Sequence, residues 1–456
     1  MKKIMTIFLL TIAGFIVIFI CANLIPAKKP QPLYTAADFK LQGNLTADNG
    51  YFIKLGMYEP ENTDFKSNEI IQQYINAEVK CDRKEMEKIF SRQIFNQKRE
   101  KPYKPFYDII YTINFNQIAK DREEIKKRVH LNKFLIDRFD TLINSKIIEY
   151  VGPTSQYYNY EPSVYLYIQN TPIPLTSGIT GLYLANAILD GIENGWSRVA
   201  DKFLNYIELG QKLSRSALNG DSLFDGMMRS SKGIEIWAQI LNRSSYNPDL
   251  YKITINRLQI YRGFNDRLKY QIMDLYLWLL GGFNNNKPEM PRYLDNGLMK
   301  YPNAILFSFT YNKNRTLSAY NDYFKEVAET LNIPPYERTE KAKTAKDKNP
   351  FWWFTNYGGR LYLDKEMPDP YYYIDWYYLK QTQIDLILIL AMLHQYKVPY
   401  AEVQQFLNNL VEDNYIDPFT GKAFIWDNKT KTIRTMEVTD YNWKQKYESI
   451  KYIAKK

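Results

Sequence analysis

The first 25 residues constrain this chain more than any other stretch. After Met1, Lys2 and Lys3, the run IMTIFLLTIAGFIVIFICANLI from Ile4 to Ile25 carries no charge, and none follows until Lys28. At about 1.5 Å per residue such a helix is roughly 33 Å long, close to the thickness of a bilayer's hydrocarbon core. Within that core a helix is the only single segment that bonds all of its own backbone groups. No later apolar run has this length. The expected organisation is an N-terminal transmembrane helix over 1–25, serving as a signal anchor, followed by a water-soluble body of about 430 residues.

A cleaved signal peptide is the competing reading. It calls for an apolar core of roughly 7–15 residues and a small-x-small cleavage site. The apolar run here is longer, and Cys21-Ala22-Asn23 and Ile25-Pro26-Ala27 are poor sites. Ile18, Phe19 and Ile20 before Cys21 do not suit a lipoprotein site. Lysines flank the run on both sides (Lys2 and Lys3, Lys28 and Lys29), so charge bias barely discriminates orientation. A two-lysine tail before a first apolar segment ordinarily stays in the cytoplasm. That places the body outside it, on a single-pass protein of the inner membrane with a periplasmic body.

Composition narrows the chemistry. The two cysteines, Cys21 in the apolar run and Cys81 in the body, leave no disulfide within the body, so packing must stabilise it. His130 and His394, the only histidines, read as surface or helix residues; most zinc sites and histidine triads are poorly supported, and neither metal nor cofactor is expected. The net charge of +10 fits an acidic partner such as lipid headgroups or an acidic polysaccharide. A general bias toward Lys, Asn, Ile and Tyr accounts for it better, since the basic residues are scattered among 50 acidic ones. No nucleic-acid-binding motif accompanies the charge. The 39 tyrosines and 8 tryptophans suit sugar stacking, membrane interfaces or protein contacts, besides a core.

The body reads as mainly α: an irregular multi-helix body with a small C-terminal β-hairpin. Residues 26–37, PAKKPQPLYTAA, form a Pro- and Lys-bearing spacer expected to be extended. NGYFIKLGMYEPENTDF, 49–65, has the composition of turn and loop, with a short alternating piece at Ile53, Leu55 and Met57. Ser67 is a candidate N-cap for the helix carrying Ile70, Ile71, Tyr74 and Ile75. Residues 121–146 read as one polar-faced helix burying Ile125, Val129, Leu135, Ile136, Phe139, Leu142 and Ile143. Residues 150–176 are Pro-rich and irregular; their tyrosines, including Tyr157, Tyr158 and Tyr160, are candidates for a binding surface. Helices separated by glycine-bearing breaks fill 178–282, one opening at Asn247-Pro248, and short breaks imply antiparallel neighbours. The run from Leu275 to Phe283 is a buried helix, AILFSFTY at 304–311 is ambiguous, and 316–331 is helical. The helical body is thus expected to occupy 38–336. The polar stretch 337–350 is a charged loop and a boundary, and 351–456 is a C-terminal unit docked on the helices.

That unit opens on FWWF, whose Trp352 and Trp353 are further binding candidates. A long helix near 376–396 has one face nearly all apolar, and Pro399 starts another with a stripe of Val403, Phe406, Leu407, Leu410 and Val411. In YIDPFTGKAFIWDNKTKTIRTM, Asp417-Pro418-Phe419-Thr420-Gly421 reads as a tight turn, and AFIW and TIRTM as a hairpin. Turn physics explains Asp417 and Thr420 better than catalysis, because both side chains can accept nearby backbone N–H groups.

This arrangement resembles the C-terminal end of certain uncharacterised single-pass, membrane-anchored bacterial proteins, in which a long apolar helix and a short one precede an Asp-Pro-Phe-(Ser/Thr)-Gly-Lys turn and a hairpin. NGYFIKLGM, 49–57, is similar to a segment shortly after the anchor in the same proteins. Many of them have proline after Gly-Lys, where Ala423 stands here. The resemblance covers about a fifth of the chain and implies no activity, so no functional residue follows from it.

Two function classes remain. One is a non-enzymatic scaffold or binding module of the cell envelope, engaging a protein or a polysaccharide. The other is a helical carbohydrate-active enzyme, a glycosidase or lyase acting on an envelope polymer, which needs two carboxyls about 5–10 Å apart with one protonated. Its candidates beside aromatics are Asp364, Glu366, Asp369 and Asp375. No Gly-x-Ser-x-Gly, Gly-x-Gly-x-x-Gly or Walker sequence is present.

Overall fold

A computed structural model describes residues 2–24, 27–34, 45–79, 82, 84–85, 87–89, 91, 114–148, 177–216, 220–263, 268–269, 272–273, 276, 280, 311–338, 356, 370–435 and 448–455. Several readings fall outside them: the tyrosine-rich stretch with Tyr157, Tyr158 and Tyr160, FWWF with Trp352 and Trp353, Asp364, Glu366 and Asp369, Cys81, AILFSFT, nearly all of the charged loop and most of 275–283. The described chain is mainly helical, with a three-stranded antiparallel sheet near its C-terminus.

In chain order, α1 spans Lys2–Leu24, α2 Gly50–Leu55, α3 Asn68–Tyr74, α4 Phe115–Lys120, α5 Arg122–Leu131 and α6 Lys133–Ile143. Next come α7 Ser177–Asn194, α8 Trp196–Ser216, α9 Gly220–Arg243, α10 Pro248–Leu258, α11 Lys313–Thr330, α12 Pro370–Gln395 and α13 Val403–Asn409. The strands are β1 Ile425–Asp427, β2 Thr432–Arg434 and β3 Ser449–Lys451. Some side chains of α1 lie outside the description; over the described residues no helix is long and apolar enough to cross a membrane.

Contacts divide the chain into two compact units. One comprises Met1–Asp38, Ile272–Ile333 and Glu337–Ile374; the other comprises Phe39–Gln271, Pro334–Tyr336 and Asp375–Lys456. In the first, Tyr276, Tyr320 and Phe324 form an aromatic cluster, with centroids 5.1 Å apart for the two tyrosines and 4.6 Å for Tyr320 and Phe324. Residues 27–31 of the spacer lie along α11, because a proline-rich strip leaves its carbonyls unbonded and side-chain amides can reach them. Asn314 donates to Ala27 O and Asn321 to Gln31 O, each at 2.6 Å, and the Leu33 amide donates to the Tyr276 hydroxyl at 2.8 Å.

The second unit is built on α7, α8 and α9. The crossing of α8 and α9 is backbone on backbone: Gly210 faces Ser230 and Gly226, and Gly226 in turn faces Ser214 and Gly210. Beside it Phe203 stacks on Trp237 with centroids 5.9 Å apart, and the indole N–H donates to Thr254 Oγ1 on α10 at 2.9 Å. α12 enters this core along 386–391, where every residue is buried, so the helix is apolar on all sides there rather than on one face.

Local physics accounts for the helix ends. The Ser67 hydroxyl accepts from the Ile70 amide, and Asn247 accepts from Asp249 with Pro248 at the first helical position. Two readings need correction. Residues 50–55 are helix, not loop or extended chain: Asn49, which suggests a turn before glycine, caps it by accepting from Tyr51 N, and all six residues are buried, so no alternation exists. The helix over 121–146 breaks at Asn132, whose side-chain amide donates to Arg128 O at 2.9 Å and so competes with the helical ladder. The expected buried positions Ile125, Leu135, Phe139, Leu142 and Ile143 are nonetheless inside.

At the C-terminal end the Asp417 carboxylate accepts the Phe419 amide at 2.9 Å, Asp417 N donates to Lys422 O, and Thr420 Oγ1 accepts from Lys422 N. Gly421 takes φ +66 and sits against the Tyr336 ring, which forbids a Cβ there twice over. β1 and β2 pair with Trp426 opposite Ile433, and β3 adds Ile450 on the other edge. Three residues with a single apolar one give no periodicity, so β3 was invisible in the sequence.

His130 is exposed on α5, whereas His394 on α12 is 1% exposed. Its Nε2 lies 3.1 Å from Asn242 Oδ1, its ring stacks on Tyr251 at 5.3 Å and meets Tyr452 at 5.0 Å, and Nδ1 has no partner. Burial, with repulsion from Lys455, pushes its pKa from 6.5 to about 3. The unfolded chain therefore takes up a proton near pH 6.5 that the folded chain refuses until about pH 3. This group adds no instability above pH 6.5 and progressively lowers stability below it, by about 2–3 kcal/mol at pH 4.5. Urea midpoints at pH 7 and 4.5 should fall less for His394→Gln than for the native chain. An equal fall in both would refute the assignment.

Candidate functional site

A cleft of about 890 Å³ opens within the second unit. Its floor is α9. Asp225, Arg229, Lys232, Glu235, Gln239 and Asn242 recur at helical spacing and so share one face, while Trp237, Ile240 and Leu241 face the core. Lys380, Gln383 and Leu386 on α12 line it, as do Thr432 on β2, Glu448 and the residues of β3.

Charge pairing organises the interior. Asp225 is held by Arg229 at 2.9 Å and by Lys54 of α2 at 3.0 Å. Burial opposes its ionisation, but the two cations outweigh burial and keep its carboxyl well below the ordinary range. Arg229 also donates to Thr180 Oγ1 at 3.2 Å; burial disfavours its charge, yet Asp225 and Tyr206 raise its pKa overall. Tyr206 itself is pushed up to about 12, chiefly by burial. Glu235 pairs with Lys232 at 3.0 Å, and Glu448 with Lys380 at 2.7 Å and with the Gln383 amide.

Each of the three cleft carboxylates therefore has a cation, which suits holding a ligand more than lending a proton, since a general acid must be protonated before it acts. Among the described residues Asp385 is the carboxyl group whose proton affinity is raised, by burial against the pull of Arg262. It lies outside the cleft lining. Arg262 bonds it at 2.7 Å, donates to Asn414 O and covers the Tyr415 ring at 3.6 Å, so this pair staples α12 to the chain before the turn. No group of three or more metal-ligating side chains occurs among the described residues.

Of the sequence candidates only Asp375 and the turn residues lie among the described residues, and none of them lines the cleft. Asp375 is half-buried near the start of α12 and does not line the cleft. Asp417, Pro418, Thr420 and Gly421 form the turn described above. The sequence reading does not single out the cleft residues, although one signal is present: Asp225, Arg229, Lys232, Glu235, Gln239 and Asn242 form a polar stripe at helical spacing along a helix whose other face is apolar. Lys54, the second partner of Asp225, lies 171 residues away in sequence, and Lys380 and Glu448 pair across 68 residues, beyond any local pattern. No protein-family model, curated protein or solved structure matches the chain.

Proposed function

We propose that the protein is a membrane-anchored, non-enzymatic binding module of the bacterial cell envelope, with α1 in the inner membrane and the folded body in the periplasm. The observation that carries this reading is α1 itself: 23 residues in one uninterrupted helix, charged only at Lys2 and Lys3. Its Phe8, Leu10, Phe15, Val17 and Ile18 are each more than half exposed. So long an apolar surface in water is unfavourable by about 25 cal/mol per Å² and calls for an apolar surrounding. Lysines at both ends sit where headgroups would be. The ion-paired cleft supports binding over cleavage.

The test is fractionation with topology reporters. The full chain should sediment with membranes and resist alkaline carbonate, and Phe15→Arg combined with Ile12→Arg should release at least half of it, given roughly 2.5–3.5 kcal/mol per central arginine. A reporter active only in the periplasm should work when fused at Lys456. A chain recovered in the soluble fraction refutes the anchor; activity of a cytoplasm-only reporter refutes the orientation.

A further inference from the structure

We infer that the cleft takes an acidic oligosaccharide, a short chain of sugars bearing carboxylates, a proposal that rests on the binding-module reading above. The charges come first. Five cationic side chains and three carboxylates line the cleft. Once Asp225, Glu235 and Glu448 are paired with Arg229, Lys232 and Lys380, Arg243 and Lys451 have no carboxylate partner among the described residues. Arg243 closes α9 with its guanidinium 4.4 Å over the Phe115 ring, a contact that holds the group in place. Lys451 projects from β3, opposite Thr432 in register. Two such cations on the walls of a concave site ask for an anion.

The hydrogen-bonding atoms narrow the class. Ser231 Oγ and Gln383 Oε1 are buried in the cleft lining with no partner. Gln383 already commits its amide nitrogen to Glu448, so its oxygen can only accept. A phosphodiester or a simple carboxylate, which carries no O–H at neutral pH, cannot donate to it. A sugar hydroxyl can, and a neighbouring hydroxyl can accept from Ser231. Ligand chemistry that answers both the unpaired cations and the unpaired acceptor is anionic and hydroxyl-bearing. The volume, about 890 Å³, lies within the range of clefts that enclose ligands of several rings.

The full-length protein in detergent micelles, titrated with tri-galacturonate in a calorimeter, should show saturable binding that weakens with salt. Maltotriose, uncharged and of similar size, should bind at least about tenfold more weakly. Arg243→Gln with Lys451→Gln should weaken tri-galacturonate binding by about tenfold or more, while Lys429→Gln, outside the cleft, should not change it. Both replaced side chains are exposed, and each single variant with an unchanged unfolding midpoint serves if the double variant does not fold. Equal binding of maltotriose, an unaffected double variant, absence of saturation, or tighter binding of a glutamate-rich peptide would each overturn the proposal. A chain that stays in the membrane fraction yet fails these titrations refutes the ligand alone; a chain lost from that fraction refutes the anchor.

Discussion

Gly226→Ala and Gly210→Ala are each expected to lower the stability of the helical core by about 2–3 kcal/mol, and Gly226→Leu to prevent folding. Intrinsic propensity points the other way, since alanine in a helix interior is better than glycine by about 1 kcal/mol. Packing decides. A Cβ on Gly210 would stand 2.4 Å from Ser230 N and 2.6 Å from Gly226 O; one on Gly226 would stand 2.4 Å from Ser214 N and 2.8 Å from Gly210 O. These obstacles are backbone atoms, so no rotamer change relieves them, and α8 and α9 must separate. Separation strains the buried Gln211 to Ser230 hydrogen bond of 2.8 Å and loosens the Phe203–Trp237 stack. Overpacking of this kind costs about 1–3 kcal/mol or more, and here it exceeds the propensity gain. Denaturant midpoints decide between them: a rise for Gly226→Ala would mean that the helices are not in backbone contact.

The second large effect is expected at Arg138. This side chain is 6% exposed on α6, yet its guanidinium donates to three carbonyls of the segment after α2: Met57 O at 3.2 Å, Pro60 O at 2.9 Å and Glu59 O. It also lies over the Phe65 and Phe134 rings at 4.6 and 5.3 Å. Burial lowers its proton affinity, while Tyr74, Glu59 and Glu61 counter that pull. Arg138→Met keeps the apolar stem and takes the guanidinium from three carbonyls, of which Pro60 O keeps the Thr63 amide, for an expected loss of about 3–5 kcal/mol, a large part of a typical folding free energy. Arg138→Lys should recover only a minor share, because one ammonium cannot reproduce the planar fork. Limited proteolysis supplies a second readout, since residues 57–66 should become cleavable in both variants. Unchanged stability of Arg138→Met would show that water replaces the guanidinium at little cost.

The sequence alone determined what depends on neighbours along the chain. The apolar run of α1 is continuous and long enough to be read directly, and the caps at Ser67 and Asn247-Pro248 act over two or three residues. The buried stripe of 125–143 follows the helical repeat, although Asn132 divides it. Only the tertiary structure decided the rest. Gly210 and Gly226 look like helix-weakening residues until two backbones meet across them. Residues 50–55 carry loop-like composition, and burial on every side makes them a helix. His394 reads as an ordinary helix histidine until Tyr251, Tyr452 and Lys455 close over it. The cleft gathers α9, α12 and β3 from widely separated parts of the chain. The physical reason is common to all four. Local propensity acts within a turn or two, whereas the close approach, the desolvation and the charge pairing that define these places arise only when distant segments share one volume.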